Sequence, residues 1–430
     1  MTNETLRLAI PSGTADIFGV RMRLREHVLH IIERVYKQFG FELLSTPVLE
    51  NAVVFNGHHG EGEKIIFNLR DKKDVPLVLR YDLTVPLARV MGMYPDIPRP
   101  FKRYQIAPSF RDDKPDKGHF REFIQCDADI VGVTNLTADA EVVIMADAGL
   151  RQIGFDSYNI RVNHRRILRG IVEYICGSGC DVLTLQRSFD FADKVLRQGV
   201  EGIKFSLEEK GFSKKSIDRL IPILELKGDP LSVLDRLFSM LMGSYCVGLG
   251  VYELRTILEC LPKEVYDKVV IDFTLARGAD YYTGFILEGV ISDIHVGAVL
   301  GGGRYDNLMS AAGGTSEPAV GMAFGLERII TAMEEISMTV EDENPTLLLF
   351  GPCKRAVVNY AHRLRGLGVM VDFNPNIEDS SKADEYAQKR NYPAFAEYGE
   401  DGIISVTPLK EGLHQFFDCL HKAISTIKEN

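Results

Sequence analysis

The stretch Phe110-Arg-Asp-Asp-Lys-Pro-Asp-Lys-Gly-His-Phe-Arg-Glu-Phe-Ile-Gln-Cys-Asp-Ala-Asp-Ile130 decides how this chain folds. It predicts two strands joined by a charged loop. From His119 on, the odd positions are His119, Arg121, Phe123, Gln125, Asp127 and Asp129. The even positions include Ile124, Cys126, Ala128 and Ile130. Successive strand residues point to opposite sides of a sheet, so the two sets occupy opposite faces. The even set makes a core face. The odd set gathers a guanidinium, a ring, an amide and two carboxylates in a row. A solvated face of an antiparallel sheet gives the same alternation. The assortment also suits a ligand that carries phosphate, base and amine.

The flanking sequence supplies the setting for this hairpin, which spans roughly 101–131. Residues 21–39 place Leu24, Val28, Ile31, Ile32, Val35 and Phe39 on one helical stripe, ended by Gly40. Strands are expected near Glu42–Leu44 and Leu77–Arg80, and a helix over about 138–152 that stops at Gly154. Asn163 has the chemistry of an N-cap for a helix Arg165–Cys176. The stretch from about 177 to 255 reads as an inserted helical module. Strand character returns at Val269–Leu275 and Thr283–Val290. The glycine-rich turn Gly301-Gly-Gly303 follows, then a strand at Ala319–Ala323 and a helix from Leu326.

The polar, acidic run Ile336–Pro345 is the best candidate for a linker. Beyond it strands and helices alternate, which implies a small, mostly parallel sheet with helices on its faces. The expected fold class is therefore α+β in residues 1–335, an antiparallel sheet flanked by helices and carrying the helical insertion. The linker is 336–345. A C-terminal α/β domain with a mixed, mostly parallel sheet fills 346–430.

Bulk composition narrows the function classes. The chain has 430 residues, 45% hydrophobic and 26% charged, as an ordinary globular protein does. A net charge of -10 argues against a general nucleic-acid coat and leaves room for a local basic surface. No apolar run approaches the ~20 residues of a membrane span. The first residues, MTNETLRLAIPSG, show no basic-then-apolar leader. The seven cysteines are scattered. Cys176 and Cys180 are close, but no second pair or histidine cluster completes a zinc site, so no bound metal is expected. An odd count without a leader implies reduced thiols and a cytoplasmic location. His58, His59 and His119 read as solvent-exposed.

Several segments line up: Gly13-Thr-Ala-Asp-Ile17, Thr46-Pro-Val-Leu-Glu50, Leu79-Arg-Tyr-Asp-Leu-Thr-Val-Pro86 and the strand pair with Arg111. Later come Leu275-Ala-Arg-Gly-Ala-Asp-Tyr-Tyr-Thr-Gly284, Gly302-Gly-Arg-Tyr-Asp306 and Gly321-Met-Ala-Phe-Gly-Leu-Glu-Arg328. Together they closely resemble the histidyl-tRNA synthetases, a family of class II aminoacyl-tRNA synthetases. The resemblance covers residues 6–335 and continues more weakly to the end. The segment from Arg277 to Gly284 is its most specific part. The resemblance implies activation of histidine with ATP to histidyl-adenylate and pyrophosphate, then transfer to the 3′ end of the histidine tRNA.

It also implies roles for single residues. Arg111 and Arg277 are the catalytic pair, holding the α-phosphate and the histidine carboxylate. Arginine suits this because its planar fork grips phosphate or carboxylate with two bonds. Arg328 reaches the γ-phosphate, Phe123 stacks on adenine, and Asp113 lies near the adenine amine. Asp82, Thr84 and Gln125 hold the α-ammonium. Asp129 and Tyr282 grip the imidazole, and Tyr305 closes the pocket. The implied partners are histidine, ATP with Mg2+, tRNA and a second copy of the chain, because Pro47 matches the motif that forms the dimer interface in class II enzymes. No membrane partner is implied. His119 stands where the family usually has an arginine; Ala279 replaces a larger apolar residue, and Asn307 a glycine. The last domain resembles the family's anticodon-binding domain, although ten Lys/Arg against eleven Asp/Glu in 346–430 make no basic patch overall. Histidine-binding regulatory paralogues of histidine biosynthesis share the outline, but usually lose the ATP arginines and lack the last domain. Arg111, Arg277, Arg328 and that domain are all present here, which favours the enzyme.

Overall fold

The structure, a computed structural model, describes residues 9–55, 65–114, 120–176, 199–209, 211–276, 282–292, 294, 296–308, 317–338, 340, 345–410 and 413–429. The chain divides into two compact units. One holds Met1–Asp16 and Val28–Met338, the other Ile17–His27 and Thr339–Asn430.

The strands of the first unit are β1 (Glu42–Leu43), β2 (Leu49–Asn51), β3 (Asn68–Arg70), β4 (Pro76–Leu79), β5 (Phe101–Phe110), β6 (Glu122–Val131) and β7 (Tyr158–His164). After the insertion come β8 (Val269–Ile271), β9 (Phe285–Ile291), β10 (Ala298–Arg304) and β11 (Ala319–Gly325). The hairpin anticipated from the alternation is β5–β6, paired antiparallel from Phe101↔Val131 to Phe110↔Glu122. It sits inside a sheet that, among the described residues, runs β1-β5-β6-β11-β10-β9-β7-β8. The inner pairs are antiparallel, and only the edge pairs β1–β5 and β7–β8 are parallel. A small antiparallel sheet, β2-β4-β3, lies apart from it.

The even side chains of β6 form the core face as expected: Cys126, Ala128 and Ile130 are buried with Tyr104, Met322 and Phe324. Helices Thr137–Ile153 and Leu326–Glu335 pack against β11 and β6. Tyr36 donates its hydroxyl hydrogen to the Cys126 carbonyl at 2.5 Å, and its ring lies 5.5 Å from Tyr104. A buried phenol needs such a partner. Helix and sheet approach closely at Gly149, where a Cβ would come within 2.2 Å of the Phe324 ring. Within the insertion, Ser213, Asp229 and Ser244 each accept a backbone N–H three residues on and so start the helices Lys214–Leu224, Pro230–Met240 and Tyr245–Glu259.

Two local expectations are corrected. Asn163 is not a helix cap. It is a buried residue of β7 that donates to the Leu275 carbonyl at 2.9 Å, and the helix Arg165–Cys176 follows the strand directly. The strand expected over Val269–Leu275 stops at Ile271, because the Asp272 carboxylate accepts the Thr274 N–H at 2.8 Å and its hydroxyl at 2.6 Å. That local bond turns the chain out of the sheet.

In the second unit β12 (Leu347–Phe350), β13 (Val371–Phe373), β14 (Ala394–Tyr398) and β15 (Ile404–Pro408) form a sheet of order β13-β12-β14-β15. It is parallel except for β14–β15. The unbroken apolar run of β12 follows from cover on both faces. Leu347 and Leu349 join Val357, Leu364 and Leu420 on one side. Leu348 and Phe350 join Ile377, Ala387 and Phe395 on the other.

Gly149→Val forces a side chain into the Phe324 ring. Denaturant unfolding should show a loss of about 1–3 kcal/mol, the usual cost of overpacking; an unchanged midpoint would contradict the helix–sheet contact.

Candidate active site

The odd face of β6 is also buried at its inner end, and half-buried at Phe123 and Gln125, so it is not a solvated surface. Asp127 and Asp129 are each 3% exposed. Register brings Asp129 opposite Arg103 of β5 and Gly321 of β11. Asp127 lies opposite Gln105 and Ala323, and Gln125 opposite Ala107 and Gly325. Gly301 and Gly303 of β10 then pair with Ala323 and Gly321. The centre of this face is therefore nearly bare, beside the polar side chains of β5 and β6. The bareness is required at Gly321, where a Cβ would stand 2.1 Å from the Asp129 Oδ1. The neighbouring Gly303 has φ +158 and leaves only 2.4 Å between a Cβ and the Phe285 carbonyl.

Arg103 is the completely buried cation of this face. Its Nη2 lies 2.6 Å from the Asp129 Oδ2 and donates to the Leu83 carbonyl at 3.1 Å. Its Nε and Nη1 have no hydrogen-bond partner among the described residues. Asp129 also accepts the Tyr305 hydroxyl. Gln125 donates its amide to the Asp127 Oδ1 at 3.3 Å. Asp82, buried before the helix Thr84–Met93, accepts the Val85 N–H at 3.1 Å, and Thr84 is the buried first residue of that helix.

Three acids thus share one fully buried guanidinium, with Arg111 contributing from the end of β5. Burial raises the Asp82 carboxyl to about 6, against the pull of the Val85 N–H, Arg111 and Arg103. Burial raises Asp127 to about 8, with Asp129 and Asp82 adding repulsion and Arg103 and Arg111 opposing. Asp129 is also raised by burial, opposed by Arg103 and the Tyr305 bond. Tyr305 is pushed well above the ordinary phenol range by burial, then by Asp129. An ammonium ion beside these acids would favour their ionised forms.

The other expected residues divide. The Arg111 Nε donates to the Tyr81 carbonyl at 3.1 Å, and its guanidinium lies 4.9 Å from the centre of the Phe123 ring. Tyr282, half-buried, meets Tyr305 edge-on at 6.4 Å. Arg328, in the first turn of its helix, donates to the Ala298 carbonyl at 2.9 Å. Asp113 lies on an exposed loop and accepts the Lys114 N–H at 2.7 Å, and its neighbour Asp112 pairs with Arg121. Arg277 and His119 fall outside the described residues. Sequence reasoning placed Asp127 on the site face but gave it no role, and it overlooked Arg103. The signal was present: in Phe101–Phe110, Arg103 and Gln105 are polar in the same phase as Phe123 to Asp129.

A second cleft behind the sheet is lined by Arg166, Tyr252, Glu253, Arg304 and Asp306. Its charges are already matched, Arg304 with Asp139 and Asp306, and Arg166 with Glu253. It shows none of the charge imbalance of the glycine-floored face.

Joining an amino acid to a nucleotide calls for acids to hold an ammonium, arginines to hold phosphate and carboxylate, and a ring for the base. One face of this sheet carries all three, and an aminoacyl-tRNA synthetase is the class of enzyme that uses them together. Comparison with known proteins specifies which one. The model of the histidyl-tRNA synthetase family matches residues 13–329. A histidine–tRNA ligase of Cytophaga hutchinsonii is 34% identical over 97% of this chain and 99% of its own length. A cytoplasmic histidine–tRNA ligase of Oryza sativa subsp. japonica is 41% identical over 78% of this chain and 43% of its own. In fold, the chain is similar to the histidyl-tRNA synthetase of Nostoc sp. PCC 7120, with a TM-score of 0.79 at 24% identity, covering 97% of this chain and 100% of that one. It is also similar to a Bacillus halodurans protein described as an ATP phosphoribosyltransferase regulatory subunit/histidyl-tRNA synthetase (TM-score 0.74, 21% identity, 93% and 100% covered). The chain belongs to the histidyl-tRNA synthetase family.

Asp127 binds a proton more tightly folded than unfolded, so its ionisation costs stability as pH rises from about 4 to about 8. Asp127→Asn removes that cost. Its melting temperature relative to wild type should therefore be higher at pH 8.5 than at pH 5, and a pH-independent difference in thermal melts would refute this.

Proposed function

We infer that this protein charges tRNA with histidine: it joins histidine to the α-phosphate of ATP, releases pyrophosphate, and passes histidine to the 3′ end of the tRNA. The observation that carries this inference is the cluster of buried acids around Arg103, next to an arginine that rests on an aromatic ring. Asp82, Thr84 and Gln125 receive the α-ammonium. Asp129 accepts the N–H of one imidazole nitrogen while Tyr282 addresses the other, and Arg103 and Tyr305 keep the Asp129 carboxylate in place. A buried site built to hydrogen-bond both nitrogens rejects side chains that would leave its own groups unpaired.

The Arg111 Nε is committed to the Tyr81 carbonyl, and its remaining N–H groups are proposed to bridge the histidine carboxylate and the α-phosphate. A carboxylate oxygen then forms a bond to phosphorus as the bond to the bridging oxygen of pyrophosphate breaks. The negative charge that develops on the phosphoryl oxygens is met by Arg111 and, from the segment that carries it, Arg277. Arg328 is assigned to the γ-phosphate, Phe123 to the adenine ring and Asp113 to its amine. ATP enters as its Mg2+ complex; among the described residues no group of three or more His, Cys, Asp or Glu is arranged to hold a metal ion.

The assembly is proposed as a cytoplasmic homodimer. Leu43, Leu49 and Val53 are exposed on either side of Pro47, with Met93 and Tyr94 exposed at the end of the helix Thr84–Met93. A second copy would cover that apolar surface. Residues 346–430 are assigned to the tRNA anticodon, 1–335 to catalysis and 336–345 to the link. Among the described residues no helix is long and apolar enough to cross a membrane.

Histidine-dependent exchange of labelled pyrophosphate into ATP tests activation, and charging of purified tRNA tests transfer. Exchange without charging, or neither, would sink the inference. Arg111→Ala should slow exchange by about 10²–10³-fold, the usual loss of one transition-state donor. Asp129→Ala should raise the KM for histidine at least about tenfold, the loss of one good hydrogen bond to a charged group, while sparing the KM for ATP.

A further inference from the structure

Asp127 is the acid of this pocket to which the charging mechanism gives no task. It is as buried as Asp129, yet far less supported. Asp129 has a guanidinium at 2.6 Å and a phenol. Asp82 has a backbone N–H. Among the described residues the donor to Asp127 is the Gln125 amide, at 3.3 Å. Gln105, opposite it on β5, spends its amide and carbonyl on the Thr46 hydroxyl at 3.1 and 3.3 Å. Ala323, opposite it on β11, has nothing to offer. The charges acting on Asp127 are those of Arg103, Arg111 and Arg80, and of Asp82 and Asp129; the Tyr36 phenol acts from the core side. Arg80 directs its Nε and Nη1 to the carbonyls of Thr46, Pro47 and Pro108. One long amide contact does not replace the water an ionised carboxylate loses on burial.

We propose that Asp127 holds a proton in the free pocket and gives it up to solvent when the ammonium group of the amino acid enters, so that histidine binding and proton release are one event. This rests on the pocket's being the histidine site. Asp127 is then a positioning residue. Neutral, it keeps the empty face from carrying an uncompensated charge; ionised, it adds a second carboxylate, besides that of Asp82, to hold the newly arrived cation. The upward shift of its carboxyl agrees with this.

The test is calorimetric titration of histidine into the full-length protein at pH 7 and pH 9, in buffers of low and high ionisation enthalpy. The dependence of the binding heat on buffer counts protons. Wild type and Asp127→Asn are compared, so that proton uptake by the imidazole itself cancels. Wild type should release about one proton more than the variant at pH 7 and none more at pH 9, since a group titrating near 8 is mostly protonated at the first pH and mostly ionised at the second. Equal counts in the two proteins at pH 7 overturn the proposal while leaving the histidine pocket standing; no binding of histidine by wild type overturns the pocket itself. A measurement on wild type alone covers a variant that fails to fold. The infrared carbonyl band of a protonated carboxylic acid should be present in the free protein and bleach on addition of histidine. A band that persists contradicts the release.

Discussion

The ion pair between Arg103 and Asp129 is the constraint on which the site depends. Burying a guanidinium completely is costly, and attraction to a single carboxylate seldom recovers the cost. Here the cation is held by a carboxylate, a backbone carbonyl and the field of two further acids. Removing either partner would strand a charge in the protein interior, typically a loss of about 3–5 kcal/mol. The pair forms because β5 and β6 meet in the register that sets residue 103 against residue 129. A slip by one residue would turn Tyr104 and Ala128 to the site and drive the charges into the core. Register, core and site chemistry are therefore specified together.

The glycines of β10 and β11 complete that arrangement. Polar side chains stand on β5 and β6, while the neighbouring strands contribute little beyond backbone. The sheet thus makes a hollow where side chains are missing. The hollow keeps the rigidity of a central sheet. That rigidity suits a reaction whose catalysis consists mainly of holding charged groups in line.

Much of this could be read before the coordinates. Period two in β6 is unambiguous because Cys126, Ala128 and Ile130 alternate with groups that cannot sit in a core unpaired. The parallel sheet of the second unit was legible from the alternation of strands and helices after Pro345. Three features were not. Asn163 has a capping side chain, and only tertiary structure shows it spent on the Leu275 carbonyl. Asp112 and Asp113 are equivalent in sequence, and the fold alone sends the first to Arg121. Arg103 escaped because a lone arginine in a strand is ordinarily an exposed one. Its partner is 26 residues away and becomes visible only through the register.

Arg80 gives the structure a mechanical property. Its side chain fastens the carbonyls of Thr46, Pro47 and Pro108, and the peptide oxygen of the next residue, Tyr81, holds Arg111. The segment is a strut from the apolar border at Pro47 to the guanidinium assigned to the reacting phosphate. A contact at Pro47 would therefore bear, through the bonds of Arg80, on the segment that holds Arg111.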